Sequence, residues 1–401
     1  MRAQIAAVLG VFALNGIAFG SWAPRVPALA AQVGAAEGSL GLSLLGASVG
    51  LIASASLAGR LCARYGARVV VGVAALAGCA VLPVLGLTGS PLQLGLVLVV
   101  VGVAAGCHDV AMNVAAVTVL RRSGRAIMPV FHAGFSIGGM LGAGGAAIAA
   151  ANHLSPFRHL TITAVVGALV VAAFIRWIPV EVRPEQRPER GRSAVRRPVL
   201  WLLGFVAFCS SIAEGASSDW SAFFGVHQRG LDESAAALVY AGFSVAMAIM
   251  RLLGERIESR WGATRMLVCG ALTAACGLFV AVAVPMVVFT YVGFALAGGG
   301  LAFAFPIALE LAGASGRRAD GGGGERELGF VSTIAYSGFL LGPPMVGGIA
   351  SVAGLPFSLV VVGVFASAIA PLAIGANRAR RREQRSTPSS DVAHRVITMG
   401  D

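Results

Sequence analysis

Apolar residues run along this chain in long blocks separated by short polar breaks. They show neither the strict alternation of a half-buried strand nor the single stripe of a soluble helix. About twenty mostly apolar residues are needed to cross the ~30 Å hydrocarbon core of a bilayer. Runs of that size occur at 4–24, 39–60, 69–88, 91–119, 130–151, 159–178, 199–222, 234–253, 265–284, 286–312, 328–352 and 355–376. They predict an all-α membrane protein with 12 transmembrane helices. The first run follows Arg2 and resembles a secretory signal, but it continues to Ala23 without a convincing cleavage site and many similar runs follow, so it reads as the first span.

Composition supports lipid as the solvent. Hydrophobic residues make up 57% and charged residues 12%, with a mean hydropathy of +0.83. A soluble domain carries about 25% charged residues to keep its surface hydrated. The net charge of +12 comes from 30 basic residues that are all Arg, set in short clusters between the runs. That placement lacks the basic stripe of a nucleic-acid surface, so no nucleic-acid partner is expected. The six Cys fall mostly inside apolar runs, with neither disulfide nor zinc spacing, and read as small buried hydrophobes.

The Arg clusters orient the spans. With the N-terminus inside, the cytoplasmic breaks hold Arg60, Arg64 and Arg68, then Arg121, Arg122 and Arg125, then Arg183 to Arg197. They continue with Arg256, Arg260 and Arg265, Arg317, Arg318 and Arg326, and Arg378 to Arg395. Only Arg25, Arg158 and Arg229 fall outside. Cytoplasmic loops of membrane proteins are enriched in Arg and Lys. The expected setting is therefore a bacterial inner membrane, spanned many times, with both termini cytoplasmic.

The Pro- and Arg-rich stretch 179–198 divides the chain. It predicts an N-terminal six-helix half at 1–178, a cytoplasmic linker at 179–198, a C-terminal six-helix half at 199–376 and a disordered cytoplasmic tail at 377–401, able to touch anionic lipid. The halves echo each other. Ile17-Ala18-Phe19-Gly20 matches Ile212-Ala213-Glu214-Gly215 at an offset of 195, and Arg60 to Gly66 matches Arg256 to Gly262 at 196. Gly138-x3-Gly142 matches Gly338-x3-Gly342 at 200. Ordered matches at nearly one offset indicate a 6+6 repeat, a common way of building transporters. Gly134, Gly138 and Gly142 predict a close helix crossing, and Gly342-Pro343-Pro344 a bend in span eleven.

These residues carry a family resemblance. Gly59-x4-Arg64-x-Gly66-x-Arg68, with its looser copy ending in Arg260 and Gly262, resembles the loop motif of the major facilitator superfamily. The resemblance implies a gating role for these six residues. Ala63 stands where the family has an acid, so a charge relay does not carry over to that position. The runs Gly106-Cys107-His108-Asp109-Val110-Ala111-Met112-Asn113 and Phe131-His132-Ala133-Gly134-Phe135-Ser136 are similar to the fucose–proton symporter branch and its relatives, as is Glu214 to Ala222. That branch implies proton-coupled transport of a sugar or other small polar solute, with an acid at the position of Asp109. Span one offers Asn15 where the fucose symporter has an acid, so a fucose-type site is not transferred.

The candidate transport residues are polar groups at bilayer depth, where a carboxylate costs about 2.5–3.5 kcal/mol or more. Asp109, with Asn113 one turn on, is the first candidate for proton coupling; the alternative is a structural carboxylate. Glu214 lies near the middle of span seven, placed to face across a cavity between spans four and seven. Asp219 and Trp220 lie nearer the outer face, as substrate contacts or as a loop-end charge and an interfacial-belt ring. His132 is placed to bond Asp109 or substrate or to sit at the interface, Asn15 to donate to substrate, and Tyr336 to line the cavity. No phosphate loop, zinc pair or nucleophile elbow is present in the sequence, so an enzyme is not expected. The expected partners are a small-molecule substrate, protons and the lipid bilayer, with a monomer driven by the proton gradient and no cofactor or metal. Efflux of amphipathic compounds and a non-transporting sensor are the competing readings.

Overall fold

The structure, a computed structural model, describes residues 1–123, 127–180, 197–316 and 324–386. Among them are fourteen α-helices and no strand. They are α1 (Arg2–Trp22), α2 (Val26–Val33), α3 (Glu37–Tyr65), α4 (Ala67–Val81), α5 (Pro91–Ser123), α6 (Met128–Ala151) and α7 (Pro156–Phe174) in the first half. In the second half are α8 (Pro198–Arg229), α9 (Glu233–Trp261), α10 (Ala263–Ala283), α11 (Val287–Leu301), α12 (Ala304–Gly316), α13 (Glu325–Ala353) and α14 (Leu355–Ser386). Two pairs are single spans with a break, α1–α2 and α11–α12, so twelve segments are long and apolar enough to cross a bilayer.

Each break follows from proline. Pro24 sits in a short 3-10 turn, Ala23–Arg25, between α1 and α2. In the other broken span, Pro306 has no N–H to offer the carbonyl four residues back, which belongs to Ala302 in the gap between α11 and α12. Pro343 and Pro344, by contrast, lie inside an unbroken α13.

Glycine holds the spans together. A Cβ on Gly138 would stand 2.0 Å from the Ala13 carbonyl oxygen, and one on Gly142 2.4 Å from that of Ile17, so α6 and α1 meet backbone to backbone. The second half repeats this crossing with α13 and α8, where a Cβ on Gly338 would stand 2.6 Å from the Phe208 oxygen. Gly342 faces Ile212 there as Gly142 faces Ile17, the pair linked by the 195 offset. Lipid tails supply no hydrophobic drive between helices, and such contacts allow the close van der Waals packing that replaces it.

The repeat extends to polar details. Gly66 joins α3 to α4 with φ 84°, and Gly262 joins α9 to α10 with φ 74°, a region that disfavours residues with a Cβ. Gln32 at the end of α2 donates from Nε2 to the Thr88 carbonyl at 2.7 Å and to that of Leu85 at 3.3 Å. Arg229 at the end of α8 does the same at an offset of 197, donating to the carbonyls of Ala281 at 2.6 Å, Val282 at 3.1 Å and Val284 at 3.1 Å. Each caps the exposed carbonyls where the third span of its half ends.

The predicted outer end is closed. There Arg25 of the first half, 3% exposed, meets Glu233 of the second with Nη1–Oε2 at 3.5 Å, and its Nη2 donates to the Leu154 carbonyl at 2.8 Å. Gly41 and Gly347 bring α3 and α13 together, a Cβ on Gly41 standing 2.9 Å from Gly347 Cα. Phe19 and Tyr240 pair across the halves at 6.4 Å, and Ser48 Oγ donates to the Phe339 carbonyl at 2.8 Å.

Several expectations change in detail. The first span runs past Ala23 to Val33, and α8 runs to Arg229 rather than 222. The last helix continues to Ser386, which corrects the expectation of disorder from 377 onward: Asn377 to Ser386 are helical, and 387–401 lie outside the described residues. Most of the linker, 181–196, and Arg125, Arg317 and Arg318 also lie outside them. Cys269 and Cys276 are exposed on α10 rather than buried.

Candidate functional site

Asp109 lies on α5 half-buried, and among the described residues no cation pairs with it. Asn113, one turn on, donates from Nδ2 to the Asp109 carbonyl at 2.8 Å and to Oδ1 at 3.4 Å. The amide thus leans on its own helix and leaves the carboxylate mostly free. Tyr336 of α13, in the other half, is within electrostatic reach of Asp109. Its ring joins Phe305 at 6.3 Å, and Phe305 joins Phe339 at 6.2 Å, so Tyr336 belongs to an aromatic cluster. Asn15 is buried on α1, its Nδ2 3.9 Å from Met112 Sδ on the same helix as Asp109. Of the sequence candidates, Asn113 and Tyr336 are thus near Asp109, and Asn15 reaches Met112, three residues further along the same helix.

Glu214 is arranged differently from the expectation. It does not stand free across a cavity: Arg251 of α9 meets it with Nη2–Oε1 at 3.2 Å. The same guanidinium donates from Nε to the Ala302 carbonyl at 3.4 Å, the group that Pro306 leaves without a helical donor. Arg251 thus ties α8, α9 and the broken α11–α12 span together through one planar fork. Its side chain is 23% exposed and that of Glu214 20%, so the pair is only partly buried.

Arg251 was hidden among the inner-boundary arginines of the sequence. One signal was available: an antiparallel pair of spans places residues equally far from its turn at one depth, and Glu214 and Arg251 are nearly equidistant from the turn at 230–232. Tyr240, which lies within reach of both Asp219 and Glu214 and pairs with Ser244, gave no such signal.

His132 is exposed on α6 with its ring edge-on to Phe12 at 5.3 Å. It lies within electrostatic reach of Arg251, not in a bond to Asp109. Ser136, one turn above, donates to the His132 carbonyl at 3.3 Å. Asp219 is half-buried within α8, with no hydrogen bond or ion pair, and is not a loop-end charge. Trp220 is fully buried and packs edge-on to Phe223 at 5.5 Å, which excludes the interfacial belt. Its Nε1 has no partner, nor do the buried hydroxyls of Ser217 and Ser221 on the same helix. His108, beside Asp109, is also buried with Nε2 unpartnered.

The residues of the loop motif lie at the predicted inner end. Arg68 donates from Nε to the Ile178 carbonyl at 2.6 Å, and Arg122 from Nη2 to that of Val180 at 2.5 Å, so both arginines hold the start of the linker. Arg64 is exposed, its guanidinium 5.3 Å from the Tyr65 ring. Gly59 and Arg260 are exposed, as is Ala63. Among the described residues, no group of His, Cys, Asp and Glu is arranged to hold a metal ion.

Twelve apolar spans in two related halves, with ionisable groups kept where the halves face each other, define a membrane transporter. Residues 8–324 match the Major Facilitator Superfamily, and the chain belongs to that family. It is 34% identical over 368 residues to an uncharacterized MFS-type transporter of Yersinia pestis, covering 92% of this chain and 94% of that one. Among solved structures, a bacterial homologue of the human lysosomal transporter Spinster, inward-facing and unoccupied, superposes with a TM-score of 0.76 at 15% identity, covering 96% of this chain and 98% of that one. The Escherichia coli fucose:proton symporter FucP superposes with 0.63 at 16% identity, covering 92% and 98%. At these identities the structural likeness shows the fold.

Proposed function

We propose that this transporter moves a small polar organic solute across the bacterial inner membrane in exchange between inward- and outward-open states, coupled to protons through Asp109. One observation carries the reading: Asp109 is an ionisable group at depth without a counter-ion, set in one half and facing Tyr336 of the other. A carboxylate in such a place can take a proton on one side and release it on the other, because rocking of the halves changes its surroundings. Glu214 is the weaker candidate, since Arg251 already neutralises it. The Arg distribution supports cytoplasmic termini, and with that orientation the closed outer end supports an inward-facing arrangement. Coupling to protons agrees with the likeness to FucP, and the polar lining by Asn15, Asn113 and Tyr336 favours a polar solute over an amphipathic one.

The test is reconstitution of the full chain into liposomes with a panel of labelled sugars, polyols and amino acids under an imposed pH gradient. Asp109→Asn is expected to abolish gradient-driven accumulation while keeping solute exchange at equal pH. Full gradient-driven accumulation by Asp109→Asn would overturn the assignment. Accumulation of dyes or drugs in inverted vesicles, with no movement of the polar panel, would replace uptake by efflux.

A further inference from the structure

We propose that a groove between the start of α8 and the end of α14 holds the headgroup of an anionic phospholipid. Its floor is Pro198 and Leu202 on one side and Gly375 and Ala379 on the other, and Arg378 and Arg382 stand at its rim. Gly375 opens the groove: it contributes no side chain, and a Cβ there would lie 3.6 Å from Leu202 Cδ2. The floor is apolar and suits the glycerol and upper acyl carbons of a lipid.

The two arginines are one helical turn apart, so they share a face. Both are exposed, and neither has a hydrogen bond, ion pair or ring contact. The one acid beside them, Glu383, is already taken by Arg197, whose Nη2 lies 2.7 Å from Oε2. Among the described residues, then, no acid offsets the positive charge at the rim.

Depth selects the ligand. A helix crosses the hydrocarbon core in about twenty residues, so α14, entering at Leu355, leaves it near Gly375. Arg378 and Arg382 then fall at headgroup level, with the apolar floor just below. Trp201 and Phe205, 39% and 42% exposed on α8, mark the same boundary. A phosphate with an acyl chain attached fits both parts of the groove, whereas the ammonium of a zwitterionic lipid would meet two guanidinium groups.

The test uses the full chain purified in neutral detergent and titrated with dioleoylphosphatidylglycerol or dioleoylphosphatidylcholine, with retained lipid read by native mass spectrometry. A basic residue at an anionic surface contributes about fivefold in affinity, so Arg378→Gln with Arg382→Gln is expected to weaken phosphatidylglycerol retention about thirtyfold. Retention of phosphatidylcholine should not change. Gly375→Leu fills the floor without altering charge and should also lower retention, which separates loss of the groove from damage caused by removing two arginines. Equal phosphatidylglycerol retention by all the variants and the parent overturns the proposal. Displacement of the lipid by free glycerol phosphate at similar concentration also overturns it, because the apolar floor would then contribute nothing.

Discussion

Arg251→Met tests whether the polar network of the second half is structural. The substitution keeps an unbranched apolar stem and removes two interactions, the ion pair to Glu214 at 3.2 Å and the hydrogen bond to the Ala302 carbonyl at 3.4 Å. Breaking a fully buried pair costs about 3–5 kcal/mol because a charge is left unpaired, whereas exposed pairs contribute about 0.2–1 kcal/mol. With the two side chains 23% and 20% exposed, a cost near 2 kcal/mol lies between those limits. The orphaned carbonyl adds about 1 kcal/mol, since Pro306 cannot serve it. A total of about 3 kcal/mol corresponds to a melting temperature lower by about 3–5 °C for a chain of 401 residues. The assay is thermal unfolding of detergent-purified protein, followed by size-exclusion recovery. Glu214→Gln combined with Arg251→Met should recover more than half of the loss, because no unpaired charge remains, but not all, because the Ala302 carbonyl stays unserved. If Arg251→Met melts with the parent, or the double variant melts below the single one, the fork does not hold these spans together.

Three further outcomes follow from the same geometry. Gly138→Ala places a Cβ 2.0 Å from the Ala13 oxygen and should cost about 1–3 kcal/mol or more in overpacking, read as lost yield of folded protein; Gly144→Ala, with nothing within 4 Å, should be silent. Glu233→Gln removes the pair across the closed end while keeping the Arg25 bond to Leu154, and should raise maleimide labelling of a cysteine at buried Ala30 about two- to fivefold, in a background lacking Cys269 and Cys276. Gly66→Ala, forced to hold φ 84°, should destabilise by about 1–2 kcal/mol, read as a lower melting temperature, although no neighbouring atom stands in the way.

The spans were readable because the bilayer imposes a length and a composition that no packing detail can override. Their ends were less so: α8 and α14 continue well beyond their apolar runs, since a helix persists in water as long as its neighbours support it, as Arg197 supports Glu383 near the end of α14. The 6+6 repeat was readable from Ile17, Ile212 and the paired glycines because close crossings admit almost no other residue. The exchange of Gln32 for Arg229 at a shared task was not, since a carbonyl can be capped by any long donor.

The same distinction explains the candidate site. A charge at depth announces itself, so Asp109 and Glu214 stood out together, but the sequence carried no indication of which had a partner. That depends on one guanidinium in a neighbouring span and on a proline in a third. Once Arg251 is placed between Glu214 and the carbonyl freed by Pro306, the two acids cease to be equivalent. Glu214 belongs to a neutral tie whose members would all lose contacts if it moved, while Asp109 can change protonation at the expense of a single long bond from Asn113. A coupling group must change charge in each cycle without dismantling its own half, and of the two acids only Asp109 meets that condition.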